Sequence, residues 1–249
     1  MIDKNSIAKL INDAELSLNF DIQRKSIPGQ IFRGMTSLKW KQDPVAGIPN
    51  CDKYLKLFDE RKIIPAYCFT CYKIQIEPAN VIDLIKLMLL FNTKLVPGDN
   101  TRKCFVELRP SVGGTYKGLI YYQDLEQAKK DLPVVTGVVK EKISEQIPVA
   151  LKRGCSEYAN EYPQYAAYDD VASDAMRSSD WDERESRYYQ ENGSAFTNAN
   201  QESHNRAGFS MVELRIIVVW LRYAATIGDT SYKTFTKYKF QIIPGISRS

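Results

Sequence analysis

Two strand–helix–strand units follow one another in residues 66–155, and their order restricts the folds that this chain can adopt. Alternating apolar and polar residues indicate strands, and apolar residues at helical spacing indicate helices. The predicted elements are a strand over 72–76, a helix opening at Pro78, strands over 104–109 and 116–122, a helix over 124–145 that Pro133 kinks or breaks, and a strand over 148–153. This βαββαβ order predicts an α+β, ferredoxin-like core, in which one antiparallel sheet has spatial order 4-1-3-2 and both helices lie on one face.

The remaining residues predict additions to this core rather than a second core. Residues 1–65 predict an N-terminal helical arm packed on the core, and residues 156–249 predict a C-terminal extension. Within these additions we expect a helix over 5–19, an irregular connection over 20–50, a short helix over 52–61, an acidic, tyrosine-rich loop over 156–209, a buried helix over 210–227 and a strand over 232–243.

Composition narrows the class of protein. The chain has 249 residues, of which 44% are hydrophobic and 26% are charged, as in an ordinary soluble globular protein. A net charge of +4 is too small to indicate nucleic-acid binding by itself. No apolar stretch is long enough to span a membrane, and the first residues lack the hydrophobic region of a signal peptide, so we expect a cytoplasmic protein. In a reducing compartment, the five cysteines favour metal binding or free thiols over disulfides.

Four of the five cysteines lie at the ends of predicted strands. Cys68 and Cys71 form a C-x-x-C motif just before the first strand, Cys104 begins the second, and Cys155 follows the fourth. In a ferredoxin-like sheet these strand ends meet at one edge, so the four thiols are expected to converge there. The sequence therefore predicts a metal–thiolate site, with Zn²⁺ as the metal and a 4Fe-4S cluster as the alternative.

Other interpretations of the cysteines stay open. Cys51 can replace one of the four ligands, although its flanking residues also fit an ordinary helix start. A redox dithiol at Cys68 and Cys71 is disfavoured, because such motifs open a helix, whereas this one precedes a strand. The cysteines can also be unligated. The single histidine, His204, excludes a histidine-rich catalytic metal site.

The same alternation assigns side chains to the two faces of the predicted sheet. The residues expected to point toward the helices are Tyr72, Ile74, Ile76, Val106, Leu108, Ile120, Tyr122, Val149 and Leu151. The residues expected on the other face are Lys73, Gln75, Phe105, Glu107, Arg109, Lys117, Leu119, Tyr121 and Lys152. Such a face is solvated, covered by another part of the protein, or a platform for an anionic ligand. In the last case charge comes from four cations and stacking from two aromatic rings: Lys73, Arg109, Lys117 and Lys152, with Phe105 and Tyr121.

One carboxylate lies among these cations. Glu107 is therefore a candidate general acid or base, and Tyr121 is the second candidate catalytic residue. A cross-strand ion pair with Lys117 or Arg109 explains Glu107 equally well.

Residues 117–128, with the sequence KGLIYYQDLEQA, resemble the third strand and following helix of an RNA-recognition motif. The resemblance rests on the Lys117-Gly118 start and on the aromatic residues that follow it. It implies that RNA bases stack on the same sheet face. A shared ferredoxin-like topology also accounts for the likeness.

The function predicted from the sequence is that of a metal–thiolate protein that binds a small anionic ligand, phosphorylated or nucleotide-like, on the sheet face. One alternative is an enzyme that uses an iron–sulfur cluster or the carboxylate of Glu107. The other alternative is an RNA-binding protein that uses the same face.

Overall fold

The computed structural model describes residues 51–98, 100–109, 112–168, 176–192 and 211–234, and the backbone of residues 37–40. Its strands are β1 (Ser37–Trp40), β2 (Tyr72–Ile76), β3 (Arg102–Val106), β4 (Tyr116–Tyr122) and β5 (Val149–Arg153). Its α-helices are α1 (Cys51–Arg61), α2 (Ala66–Phe69), α3 (Val81–Phe91), α4 (Leu125–Lys142), α5 (Ser156–Glu161), α6 (Ser179–Asn192) and α7 (Met211–Ile227). Two 3-10 turns lie at Pro163–Ala166 and Thr230–Thr234. The chain is an α+β protein, as predicted.

The five strands form one sheet in the order β1-β3-β4-β2-β5, and every neighbouring pair is antiparallel. Tyr72 of β2 lies opposite Tyr122 of β4 on one side and Arg153 of β5 on the other. β1 was not predicted, because a strand of four residues shows little alternation within the proline- and glycine-containing stretch 20–50. The helix predicted over 5–19 and most of the strand predicted over 232–243 lie outside the described residues.

The two helices that follow strands β2 and β4 begin at capping residues. The side chain of Asn80 accepts a hydrogen bond of 2.9 Å from the backbone N–H of Asp83 at the start of α3. Asp124 caps α4 in the same way, through a hydrogen bond of 2.9 Å from the backbone N–H of Glu126. Each cap satisfies a backbone donor that has no partner inside its helix.

α4 continues through Pro133 to Lys142, so the break that we considered at this proline does not occur. A proline removes one helical hydrogen bond and crowds the preceding turn. Buried residues on both sides of it, Ala128, Val135 and Val139, pack into the main core and hold the helix against the sheet. Tertiary packing therefore outweighs the local preference of proline.

The main apolar core lies between one face of the sheet and the three helices α3, α4 and α7. Gly118 of β4 permits a close approach of α3, since a Cβ atom at this glycine would lie 2.3 Å from Cδ2 of Leu87. Leu108, predicted to face the helices, lies beyond the end of β3 and is 40% exposed. α7 agrees with the buried helix predicted over 210–227. Within the described ranges, no helix is long and apolar enough to cross a membrane.

A second, largely aromatic cluster lies beside the edge where β2 begins and β5 ends. Its buried members come from α1, α2, α5 and nearby turns: Phe58, Ile64, Cys68, Phe69, Tyr158 and Tyr165. Their rings meet edge to face, with centroids 4.8 Å apart for Phe58 and Tyr158. α5 and α6 lie in the stretch 156–209 that was expected to be a loop. They fold because buried tyrosines supply the apolar surface that aliphatic residues do not.

Candidate functional site

Three of the predicted metal ligands come together at one edge of the sheet. Cys68 lies in α2 and Cys71 directly precedes β2, and the backbone N–H of Cys71 donates to the carbonyl of Cys68 at 3.3 Å. The backbone N–H of Gly154 donates to the carbonyl of Cys71 at 2.7 Å. This bond places Cys155, the next residue, beside the turn that carries Cys68 and Cys71.

Cys104 does not lie with these three cysteines, which corrects the expected convergence of four thiols. It is an interior residue of β3, opposite Gly118, and its side chain is fully buried in the main core beneath the helices. The reason is that β3 begins at Arg102 rather than at Cys104. The guanidinium of Arg102 donates to the carbonyl of Phe91, the last residue of α3, at 2.5 Å, and to those of Val96 at 2.9 Å and Gly98 at 2.8 Å in the loop that follows.

Cys51 approaches the edge that Cys104 was expected to reach. It is the first residue of α1, and Tyr54, one helical turn later, stacks on Tyr67 with ring centroids 5.0 Å apart. Because Tyr67 directly precedes Cys68, the first turn of α1 packs against α2. We refer to Cys51, Cys68, Cys71 and Cys155 as the thiol cluster. None of the cysteines of the chain forms a disulfide.

Burial is the main influence on the thiols of this cluster. It raises the pKa of Cys71 to about 12 and the pKa of Cys155 to about 11, and it also raises the pKa of Cys68. Neighbouring thiols, Cys51 among them, raise each of these pKa values further, whereas Lys73 opposes the rise for Cys71 and Cys155. At neutral pH the thiols of Cys68, Cys71 and Cys155 are therefore protonated and are poor nucleophiles. Among the described residues, no three cysteine, histidine, aspartate or glutamate side chains are close enough to hold a metal ion.

The sheet face opposite α3, α4 and α7, which we call the polar face, is buried at its centre rather than solvated. Lys73 and Lys117 are only 7% and 4% exposed, and Gln75, Phe105 and Leu119 are buried as well. Alternation therefore predicted the residue types of this face but not their burial. The polar face is not an ordinary solvent-exposed surface.

Lys73 and Lys117 make no hydrogen bond and no ion pair within the part of the chain that the structure describes. Burial lowers the pKa of Lys117. The positive charges of Lys152 and Lys73 lower this pKa further, whereas the carboxylates of Glu107 and Glu77 raise it. Two ammonium groups are thus withdrawn from water without a bonded partner, an arrangement that costs free energy.

Glu107, the candidate acid or base, is held by Arg109. The guanidinium of Arg109 donates from Nε to Oε1 of Glu107 at 2.8 Å and from Nη2 to Oε2 at 2.7 Å, and it also binds Glu157. Burial alone would raise the pKa of Glu107, but the hydrogen bonds and the charge of Arg109 lower it below its ordinary value. Glu107 is therefore ionised at neutral pH, which does not suit a general acid.

Two carboxylates near the polar face were missed by the sequence analysis. Glu77, just after β2, lies 3.9 Å from Nζ of Lys152 and accepts a hydrogen bond from the side chain of Gln75. Glu157 lies in α5 and pairs with Arg109. Both carboxylates lie outside the strands, so strand alternation carries no information about them.

The two predicted aromatic residues occupy different parts of the polar face. Tyr121 lies opposite Lys73 in the register of β2 and β4. Burial, followed by the charges of Cys51, Cys155 and Cys71, raises the pKa of Tyr121 well above its ordinary value. Its hydroxyl therefore stays protonated at neutral pH and does not act as a base. Phe105 lies opposite Lys117, and Nζ of Lys103 is 4.3 Å from the centre of the Phe105 ring.

The Lys117-Gly118 pair of the RNA-recognition-motif resemblance has a packing explanation in this chain. Lys117 is on the polar face, while Gly118 faces α3 and gives Leu87 room. His204 lies outside the described residues. Comparison of the chain with protein-family models, with curated proteins and with solved structures finds no match.

Proposed function

We propose that this protein binds a small anionic ligand, phosphorylated or nucleotide-like, at the polar face, with Lys73 and Lys117 as its principal cationic contacts. The observation that carries the proposal is the burial of both lysines with no bonded partner in the described part of the chain. A buried ammonium group loses its hydration, and this loss is costly unless an opposite charge compensates for it. A phosphate group would supply that charge through charge-assisted hydrogen bonds.

The other two predicted cations have smaller roles in this proposal, because carboxylates already neutralise them. Arg109 binds Glu107 and Glu157, and Lys152 lies near Glu77. These carboxylates limit the positive potential of the face. They favour a ligand with one or two phosphate groups over an extended polyanion. Phe105, beside Lys117, offers an aromatic face for a base or a sugar.

We further propose that β2, α3, β3, β4, α4 and β5 form a ferredoxin-like unit. Counted within this unit, the strands lie across the sheet in the order fourth, first, third, second, and neighbours are antiparallel. This order and the packing of both helices into one core support the assignment. β1 then extends the sheet beside the second strand, and the ligand lies on the polar face, opposite α3, α4 and α7.

Isothermal titration calorimetry with inorganic phosphate, pyrophosphate and ADP tests the proposed ligand class. Lys117→Met keeps most of the aliphatic stem and removes the charge, so we expect affinity to fall by at least about tenfold, equivalent to ~1.4 kcal/mol. Lys152→Met is the matched control on the same face. Its side chain is 48% exposed and lies near Glu77, so its effect should stay within the ~1 kcal/mol typical of exposed pairs.

Stability of the ligand-free protein provides an independent readout. A buried charge without a partner destabilises the folded state, so Lys117→Met and Lys73→Met should be at least as stable as the wild type in urea. Lower affinity together with equal or higher stability indicates lysines that serve a ligand. Lower stability with unchanged affinity would overturn the proposal, because the lysines would then be structural.

The same variants separate the two alternative functions. RNA binding predicts affinity for single-stranded oligonucleotides that falls steeply with salt and weakens in every cationic variant. An enzyme predicts turnover of a phosphorylated ligand that Glu107→Gln abolishes without loss of binding. The pairing of Glu107 with Arg109 and the packing role of Gly118 favour neither alternative over simple anion binding.

A further inference from the structure

We propose that Lys117 is a nucleophilic amine that forms an imine with a phosphorylated aldehyde, while Lys73 holds the phosphate group. This inference rests on the proposed function, because the phosphate group of the aldehyde is the anion bound at the polar face. It adds a covalent step and identifies the ligand as a carbonyl compound. Lysine amines commonly form such imines, or Schiff bases, with carbonyl substrates.

The amine of Lys117 is withdrawn from water and is not engaged in a structural contact. Lys117 belongs to β4, is 4% exposed, and makes no hydrogen bond and no ion pair within the described part of the chain. An ion pair would stabilise the protonated form of a lysine, which has no lone pair for attack. Since Lys117 has no such pair, no structural bond must break before its amine reacts.

The turn before β4 brings the end of Lys117 close to a carboxylate and to solvent. A Cβ atom at Gly114 would lie 3.3 Å from Oε2 of Glu77 and 3.4 Å from Cε of Lys117, so both side chains face this glycine. Gly113 and Gly114 are exposed, and a Cβ atom at Gly113 would have no neighbouring atom within 4 Å. A small aldehyde can therefore approach the amine past a turn whose two glycines present no side chains.

The surroundings of Lys117 favour the neutral, nucleophilic form of its amine. Burial removes the hydration that stabilises an ammonium group, and it lowers the pKa of Lys117 below the ordinary value of 10.5. The carboxylates of Glu107 and Glu77 oppose this effect, whereas the positive charges of Lys152 and Lys73 act in the same direction as burial. A desolvated lysine next to another cationic group is an activated nucleophile.

The proposed step needs no oxidant and no reductant. The ammonium group of Lys117 passes one proton to the carboxylate of Glu77, directly or through a water molecule. The lone pair of Nζ then forms a bond to the carbonyl carbon, the π electrons move to the oxygen, and this oxygen leaves as water after protonation. Overall, one ammonium group and one aldehyde give one iminium group and one water molecule. The iminium group keeps the positive charge of Lys117, so the anionic ligand remains compensated.

Trapping with sodium borohydride tests this step, because borohydride reduces the imine to a stable secondary amine that mass spectrometry locates. The probes are glycolaldehyde phosphate and, as its matched control, glycolaldehyde. The phosphorylated probe should give at least about tenfold more adduct on Lys117, the ratio that ~1.4 kcal/mol of phosphate binding provides. Excess inorganic phosphate should remove this difference. Lys86 and Lys152, whose side chains are 45% and 48% exposed, should carry less adduct than Lys117 despite their greater accessibility.

Lys117→Arg separates the covalent step from anion binding. Arginine keeps the positive charge, but its guanidinium stays protonated in proteins and does not form the imine. The variant should therefore lose the phosphate-dependent adduct and still bind pyrophosphate in calorimetry. Far-ultraviolet circular dichroism verifies its fold, and Lys117→Met, which should also lose the adduct, is the second variant.

The pH dependence of labelling by glycolaldehyde reports on the amine itself. In the folded protein, labelling of Lys117 should reach half of its maximum below pH 10.5, because burial lowers the pKa of this lysine. In protein unfolded by urea, the same residue should reach half of its maximum near the ordinary lysine value of about 10.4. Equal midpoints in the two states would contradict the activation of Lys117.

Two further results would overturn the imine. They are the absence of an adduct on Lys117 while exposed lysines are labelled, and a phosphate-dependent adduct that persists in full in Lys117→Arg. Pyrophosphate binding without the adduct would remove only the covalent step and leave the anion site. Equal labelling of Lys117 by both probes, without any binding of pyrophosphate, would remove the anion site and with it the phosphorylated ligand class.

Discussion

The two faces of the central sheet are both buried, but their burial has opposite energetic consequences. The face toward α3, α4 and α7 is apolar, with Ile74, Ile76 and Ile120 fully buried. The polar face buries Lys73 and Lys117 to nearly the same extent. Apolar burial is favourable by about 25 cal/mol per Å², whereas burial of an unpaired charge opposes folding. Similar exposure is therefore stabilising on one face and costly on the other, and the costly face is the one for which we propose a ligand.

The largest effect should come from truncating the apolar face. Ile74→Ala leaves a cavity between the sheet and its helices and should lower the free energy of unfolding by about 2–5 kcal/mol, measured by urea denaturation. The adjacent residue on the opposite face is the matched control. Lys73→Ala loses the packing of the aliphatic stem but also removes an unpaired buried charge. It should therefore lower the free energy of unfolding clearly less than Ile74→Ala does. Equal losses for the two variants would contradict the difference between the faces.

The helix side of the sheet also depends on one carboxylate. Asp229 accepts hydrogen bonds from the backbone N–H of Val81 at 2.8 Å, from the hydroxyl of Tyr116 at 2.7 Å and from the backbone N–H of Ser231 at 2.9 Å. It thus connects the end of the described chain to the start of α3 and to β4. Burial alone would raise the pKa of Asp229, but these hydrogen bonds lower it below its ordinary value.

Asp229→Asn should therefore have an intermediate, pH-dependent effect. At neutral pH the loss of charge-assisted bonds should lower the free energy of unfolding by about 1.5–3 kcal/mol. Because the pKa of Asp229 is lower in the folded state, its contribution is complete above the unfolded pKa of about 3.9. This contribution disappears as the pH falls through the folded pKa. Urea denaturation of the wild type and of Asp229→Asn from pH 7 to strong acid should show their free energies of unfolding converging. A difference between the two free energies that stays constant with pH would refute the role of the charge.

The charged groups of the polar face differ from Asp229 in their partners. Asp229 is a half-buried charge with three hydrogen-bond partners, whereas Lys117 is a buried charge with no hydrogen bond or ion pair among the described residues. Removing the charge of Asp229 should destabilise the protein, and removing the charge of Lys117 should not. This contrast is the reason why Lys117→Met reports on a ligand rather than on folding.

Strand alternation predicted the α+β class, the strand over 116–122 and the residue types of both faces from the sequence alone. The same alternation contained the correct position of Cys104, because Cys104 and Val106 are two residues apart and share the helix face. The prediction failed because β3 was taken to start at Cys104, so an interior residue was treated as an end. Strand boundaries depend on tertiary pairing with β1 and β4, which local sequence does not reveal.

The packing of the segments before and after the sheet was harder to predict. Tyr158, Tyr165 and Tyr188 are buried, but tyrosines spaced among charges in 156–192 were interpreted as a loop. The positions of Glu77 and Glu157 depend on how loops and helices pack on the polar face. The approach of Cys51 likewise depends on the contact between α1 and α2, and the sequence suggested Cys51 only as a replacement ligand.

The smallest stability effect is expected for Cys104, and labelling should distinguish this cysteine from Cys51 and Cys155. Cys104→Ala leaves a small cavity in the main core and should lower the free energy of unfolding by about 1 kcal/mol. In metal-free wild-type protein, Cys51 and Cys155 are only partly buried, whereas Cys104 is fully buried. Pulsed alkylation at increasing denaturant should therefore label Cys51 and Cys155 through local opening. It should label Cys104 only when the whole domain unfolds.

The labelling midpoint of Cys104, read by mass spectrometry, should coincide with global unfolding measured by circular dichroism. Labelling of Cys104 as early as Cys155 would place both cysteines at the same opening edge, and it would return Cys104 to the set of candidate metal ligands. Late labelling of Cys104 alone would assign it to the core that holds the helices on the sheet. The partly buried cysteines, Cys51 and Cys155, would then be the ones that open to solvent without unfolding the apolar face.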